Sequence, residues 1–163
     1  MFPSDIHDLA RKVIEIYTTQ KRKIVTAESC TGGLIAGALT EIPGSSAVVE
    51  RGFITYSNDS KTEVLGVLPE LIDTYGAVSE QVAEVMAKGA LEFSVADVAV
   101  SVTGIAGPDG GTPGKPVGLV YFGLASRSGS VFHYKGQYNG DRSDIRMQTV
   151  REALKLLLSL AVG

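Results

Sequence analysis

The 163-residue sequence predicts an α/β protein: one domain, 1–163, folded as a three-layer α/β/α sandwich on a mixed β-sheet. Three observations lead there. Stretches whose apolar residues recur at helical spacing alternate with short runs rich in β-branched residues. The last two of those runs are joined by a tight polar turn, so at least one strand pair is antiparallel. Hydrophobic residues make up 44% of the chain and charged residues 20%, the balance of a chain that buries a core.

Each element can be justified in order. Ser4 can cap a helix striped by Ile6, Leu9, Ala10, Val13, Ile14 and Tyr17. After the basic turn at Lys21–Lys23, Ile24–Ala27 reads as a short buried strand. It breaks at the polar tip Glu28–Ser29–Cys30–Thr31 and the pair Gly32–Gly33 into a helix with Leu34, Ile35, Ala38 and Leu39 on its apolar face. Pro43–Ser46 is a loop, and Ala47–Tyr56 a strand whose Glu50 and Arg51 argue against full burial. Asn58–Ser60 caps a short helix that contains Lys61 and ends near Gly66; Pro69–Tyr75 is another, stopped by Gly76. Ser79 opens a helix with Val82, Val85, Met86, Gly89, Ala90 and Phe93 on one face. Asp97–Thr103 is a strand, and Gly104–Pro116 a long loop rich in Gly and Pro. Val117–Ala125, apolar on both faces, belongs inside the sheet. Arg127–Gly129 turns it into the more polar Ser130–Tyr138. Gly140–Asp141 starts the last helix, carried by Ile145, Gln148, Ala153, Leu154, Leu157 and Leu158. There are no repeats, linkers or low-complexity tracts.

Composition narrows the function classes. Fifteen Lys+Arg against 18 Asp+Glu give a net charge of −3, without the basic footprint of a nucleic-acid binder. One cysteine, Cys30, forms no intrachain disulfide framework and suits a reducing compartment. No apolar run is long enough to span a bilayer, and Met1–Asp8 lacks the apolar core of a secretory signal. The expectation is a cytoplasmic protein without a membrane partner. The two histidines, His7 and His133, lack metal-ligand spacing, so no metal or other cofactor is expected. Neither a Walker A loop nor a dinucleotide fingerprint is present.

The strand-to-helix turn at Ser29 has the logic of a nucleophile elbow, small-x-Ser-x-small, although glycine is absent on both sides. A serine there also suits a plain helix cap. With no usable histidine, serine can be activated by a neutral lysine, and Lys61, just beyond the strand ending Phe53–Tyr56, is the best placed. The alternative is an ordinary solvated helix lysine. Tyr56 can share its proton network or donate to a developing oxyanion. Cys30 is a rival nucleophile, or else a small buried hydrophobe. Thr103–Gly111 is a second glycine-rich turn at a strand end, where ligands of open α/β sheets bind. Arg142 sits in a first helical turn, where the helix dipole favours acidic residues. A ligand phosphate would account for it, and so would a surface pair with Asp141 or Asp144.

Four motifs in order, TAESCTGG at 26–33, PGSSAVVERGFITYSNDSK at 43–61, GAVSE at 76–80 and SVTGIAGPDGG at 101–111, followed by GDR at 140–142, resemble the CinA C-terminal domain family over nearly the whole chain. The resemblance is to the family's stand-alone form, which lacks the separate N-terminal domain of the fused members. The resemblance implies an amidohydrolase converting nicotinamide mononucleotide, a small-molecule nucleotide, to nicotinate mononucleotide and ammonia in pyridine nucleotide recycling. It implies Ser29 as nucleophile, Lys61 as general base and Tyr56 as its partner. Thr31, Gly32, Gly33, Thr103, Gly104 and Arg142 would line the substrate. It also implies a homodimer or larger homo-oligomer and no metal. The rival expectations are a non-catalytic nucleotide-binding or regulatory module of the competence/damage-inducible type, and a serine amidase for another small amide.

Overall fold

The computed structural model describes residues 1–163. Five strands form one sheet in the order β2-β1-β3-β4-β5: β1 (Ile24–Glu28), β2 (Val49–Ile54), β3 (Val98–Gly104), β4 (Leu119–Ser126) and β5 (Val131–Gln137). β1 lies parallel to both β2 and β3, whereas β4 runs antiparallel to both β3 and β5. The sheet is thus mixed, as the sequence predicts. Its half-buried strands, β2 and β5, take the two edges.

Helices α1 (Ser4–Gln20), α2 (Leu34–Thr40) and α6 (Arg142–Val162) share a 25-residue core with one face of the sheet. On the opposite face, α3 (Asn58–Leu65), α4 (Pro69–Tyr75) and α5 (Glu80–Glu92) enclose a separate 13-residue core. The strands are asymmetric to match. β3 turns Val98, Val100 and Val102 to the first face and the small Ala99 to the second. Small residues bring α5 close: Ser101 donates to the Ala83 carbonyl at 2.6 Å and accepts from Gly123 N–H at 3.1 Å. No helix is long and apolar enough to cross a membrane.

Several boundaries differ from the sequence reading, each for a local reason. α1 is capped by Pro3 without a side-chain bond, so Ser4 is its first residue rather than its cap. The cap of α3 is Ser57, one residue before Asn58, accepting from Ser60 N–H. Ser79 does cap α5. Phe93 lies past the end of α5 and is 47% exposed, outside the apolar face assigned to it. Gln148 of α6 turns from the core to donate to the carbonyls of Asn139 and Asp144. The pairing of β1 with β2 has one irregularity. Ile24 pairs with Val49 but Val25 pairs with Arg51, so Glu50 is an extra residue in β2, a bulge.

Candidate active site

Because β1, β2 and β3 are parallel, their carboxyl ends open on the same side of the sheet, the usual ligand side of such folds. Ser29 follows β1, Thr55 follows β2, and Thr103–Gly104 ends β3. Together with α3 and the start of α6 they enclose a cavity of about 270 Å³, lined by Ser29, Lys61, Tyr56, Thr103, Gly104 and Arg142 among others. Six of the nine candidate residues therefore meet in one place.

The closest pair is Ser29 and Lys61, 32 residues apart in sequence. Lys61 Nζ lies 3.1 Å from Ser29 Oγ. Lys61 is 1% exposed and Ser29 8%, and no carboxylate pairs with the lysine. Burial pushes the Lys61 ammonium below its ordinary value of 10.5, with nearby Cys30 acting weakly the other way. The amine also donates to the Thr55 carbonyl at 2.9 Å and, at 3.5 Å, to that of Tyr56. A neutral lysine has two N–H bonds and one lone pair. With the hydrogens on those two carbonyls, the lone pair is left to accept from the Ser29 hydroxyl.

The turn holding Ser29 has a cause that the sequence reading passed over. Glu28, the last residue of β1, is 1% exposed. Its carboxylate accepts from Thr31 Oγ1 at 2.6 Å, Gly33 N–H at 3.0 Å, Ile35 N–H at 3.0 Å and Ala36 N–H at 2.9 Å. The free N–H groups at the start of α2 thus meet an anion of the chain's own, and four donors offset its burial. Thr31, Gly32 and Gly33 consequently lie outside the cavity. Thr31 is fully buried against Glu28, and Gly33, at φ +99°, bends the chain into the helix as only glycine does freely. The signal was present in the sequence: a carboxylate just ahead of a glycine pair and an apolar helix.

Other candidates also have engagements of their own. The Thr103 hydroxyl donates to the Ala77 carbonyl at 2.8 Å, tying down the segment before α5. A Cβ at Gly104 would come within 2.7 Å of Val120 Cγ2 and 2.9 Å of the Leu119 carbonyl, so the neighbouring strand alone demands glycine there. The Tyr56 hydroxyl accepts from Arg142 Nη2 at 2.8 Å, away from Lys61. Arg142 also donates to the Gly107 carbonyl at 2.8 Å. It pairs with neither Asp141 nor Asp144, which complete a capping box of their own. Burial pushes the Cys30 thiol up to about 12, so Cys30 is a packed hydrophobe beside the serine and not a ready thiolate. Arg146, absent from the sequence candidates, reaches from α6 to the carbonyls of Cys30, at 3.0 Å, and Thr31, at 3.1 Å.

Comparison with known proteins gives a consistent set of relatives. The family model "CinA C-terminal domain" matches residues 6–161. Nicotinamide-nucleotide amidohydrolase PncC of Enterobacter agglomerans is 52% identical over 156 residues, covering 94% of this chain and 93% of that protein. A CinA-like protein of Mycolicibacterium gilvum is 55% identical over 136 residues, 83% of this chain but 32% of that longer protein. Among solved structures, competence/damage inducible protein CihA from Agrobacterium tumefaciens superposes with a TM-score of 0.97 at 56% identity, covering 98% of both chains. A CinA superfamily protein from Klebsiella pneumoniae superposes at 0.92 with 34% identity, covering 96% of this chain and 98% of that one.

Proposed function

Since this chain belongs to the CinA C-terminal domain family, we propose that it is a nicotinamide-nucleotide amidohydrolase, hydrolysing nicotinamide mononucleotide to nicotinate mononucleotide and ammonia through a serine nucleophile and a lysine base. The observation that carries the reading is the buried Lys61–Ser29 contact of 3.1 Å, with the lysine desolvated and free of any carboxylate. The name of the full-length Enterobacter relative supports the substrate. A purely nucleotide-binding module gains nothing from burying an ammonium beside a serine, at a cost of several kcal/mol for an unpaired charge.

In this mechanism Ser29 Oγ attacks the carboxamide carbon while its proton passes to Lys61 Nζ. Lys61 returns that proton to the departing nitrogen, which leaves as ammonia, and the acyl group stays on Ser29. Water then attacks the ester, again giving its proton to Lys61, which hands it back to Ser29 Oγ as nicotinate mononucleotide forms. Arg142, whose present partners are a phenol and a carbonyl, is available to the substrate phosphate. We assign the reaction to pyridine nucleotide recycling, because its product is nicotinate mononucleotide.

The test is ammonia release from nicotinamide mononucleotide by the purified protein. Ser29→Ala should abolish it, whereas Cys30→Ala should keep most of it. Activity that survives Ser29→Ala but is lost in Cys30→Ala would overturn the assignment.

A further inference from the structure

Attack on a carboxamide leaves negative charge on the former carbonyl oxygen, and a site that stabilises it holds N–H donors where that charge develops. At a strand–turn–helix nucleophile, the amide following the nucleophile is one such donor. Here that amide is Cys30 N–H. Almost every other polar backbone group of the turn is engaged. Ser29 N–H donates to the Val102 carbonyl at 3.1 Å, Gly32 N–H to that of Ser29 at 3.0 Å, and Leu34 N–H to that of Thr31 at 3.2 Å. Gly33 N–H is on Glu28, and the carbonyls of Cys30 and Thr31 are on Arg146. The N–H groups of Cys30 and Thr31 donate to no backbone carbonyl.

We infer that Arg146 is a positioning residue of the reaction: by gripping the Cys30 and Thr31 carbonyls from α6, it sets the turn so that the N–H of Cys30, which lines the cavity, serves the developing oxyanion, a role that rests on the amidohydrolase reading above. The peptide unit is planar and trans, so its C=O and N–H point in opposite directions. Drawing the Cys30 carbonyl to Arg146 fixes Cys30 from its carbonyl side. The Ser29 carbonyl, engaged by Gly32, turns the N–H of the same peptide, that of Cys30, the other way, and Cys30 lines the cavity. No carboxylate pairs with Arg146, so its charge acts on the turn undivided. Glu28 holds the same turn from its amide side, through Gly33, Ile35 and Ala36. Cation and anion fix opposite ends of it.

The experiment compares wild type, Arg146→Gln and Arg146→Lys in kcat and KM for nicotinamide mononucleotide. It adds the inhibition constants of nicotinate mononucleotide and of the matching pyridine-3-carbaldehyde ribonucleotide, whose C=O takes up Ser29 Oγ–H to give a hemiacetal. Arg146→Gln should lose about 100-fold in kcat, the scale of one oxyanion donor, with KM and product affinity changed less than about threefold. Aldehyde affinity should fall in step with kcat/KM. Arg146→Lys, which keeps the charge but not the two-pronged grip, should lose about tenfold in kcat, and it decides the matter should the glutamine variant not fold. An unchanged kcat in a folded variant, or a loss shared equally by product affinity, overturns the role. A wild type that releases no ammonia removes the amidohydrolase reading and this role with it. An active wild type with an indifferent Arg146→Gln removes this role alone.

Discussion

Replacing Glu28 by glutamine keeps the shape of the side chain and removes its charge, which isolates what the buried carboxylate contributes. In the wild type Oε2 accepts from Thr31 Oγ1 and from Gly33 and Ile35 N–H, while Oε1 accepts from Ala36 N–H. A glutamine that keeps its oxygen at the three-donor position turns its own NH₂ toward Ala36 N–H, donor against donor. That deletes one charge-assisted bond, about 2 kcal/mol, and weakens three others by about 0.5 kcal/mol each. The opposite flip deletes three bonds and is worse. Glu28→Gln should therefore cost about 3–4 kcal/mol, a large share of the roughly 5–15 kcal/mol that holds such a domain folded. At about 2–4 °C per kcal/mol for a chain of this size, Tm should fall by about 10 °C. Urea unfolding at constant pH measures it, with the m-value showing whether the two states are otherwise unchanged. A loss below about 1 kcal/mol would refute the reasoning, since Glu28 would then be exchangeable for a neutral acceptor.

Three further predictions concern the cavity. Lys61→Arg keeps a positive charge that cannot be removed, so it should lose about as much kcat as Lys61→Ala, at least about 10²-fold, in a steady-state ammonia assay; near-normal Lys61→Arg activity would reduce the lysine to an electrostatic anchor. The folded-state pKa of Lys61 is lowered, so between it and 10.5 the unfolded chain binds more protons than the native one. The urea stability of wild type relative to Lys61→Met should thus rise with pH across that window and level off above it, and a difference independent of pH would contradict the lowered value. Arg142→Ala should raise KM for nicotinamide mononucleotide about 10–100-fold, the worth of a charge-assisted contact, and raise it much less for nicotinamide riboside, which lacks the phosphate; equal losses on both would assign Arg142 another task.

Much of the architecture was legible because it rests on local signals. Ser79, Gly76 and Pro69 mark helix ends by backbone chemistry that any sequence displays, and the run Val117–Ala125, apolar on both faces, announces a strand inside the sheet. The neighbourhood of Ser29 and Lys61 was legible as far as strand ends can be expected to converge. What the side chains do there was not, because the answers lie in residues distant in sequence. Glu28 read as a solvent-facing tip, since a carboxylate flanked by Ser and Thr usually is one; its burial depends on the α2 amides curling back over it. Thr31, Gly32 and Gly33, which the resemblance sets against the substrate, belong to that same wrapping of Glu28. Arg146 gave no local signal, because its partners lie more than 110 positions earlier. That β4 by itself demands glycine at 104 was not legible either, because Val120 and Leu119 lie on another strand.

The bulge at Glu50 has a consequence for the Ser29–Lys61 distance. Beyond it β2 runs in phase with β1 as far as Ile54 opposite Glu28, and Thr55 N–H then closes on the Glu28 carbonyl at 2.9 Å. That alignment carries the carbonyl of Thr55, and the helix bearing Lys61 behind it, to the serine. A two-residue slip of β2 would leave its inward and outward faces unchanged yet carry Thr55 about 6.6 Å along the strand, twice the reach of a hydrogen bond. β2 is an edge strand, held on one side only, and so among the first parts of the sheet to loosen. Gentle heating or low denaturant would then silence the enzyme while circular dichroism still reported an intact fold, making turnover a finer gauge of that edge than any bulk probe.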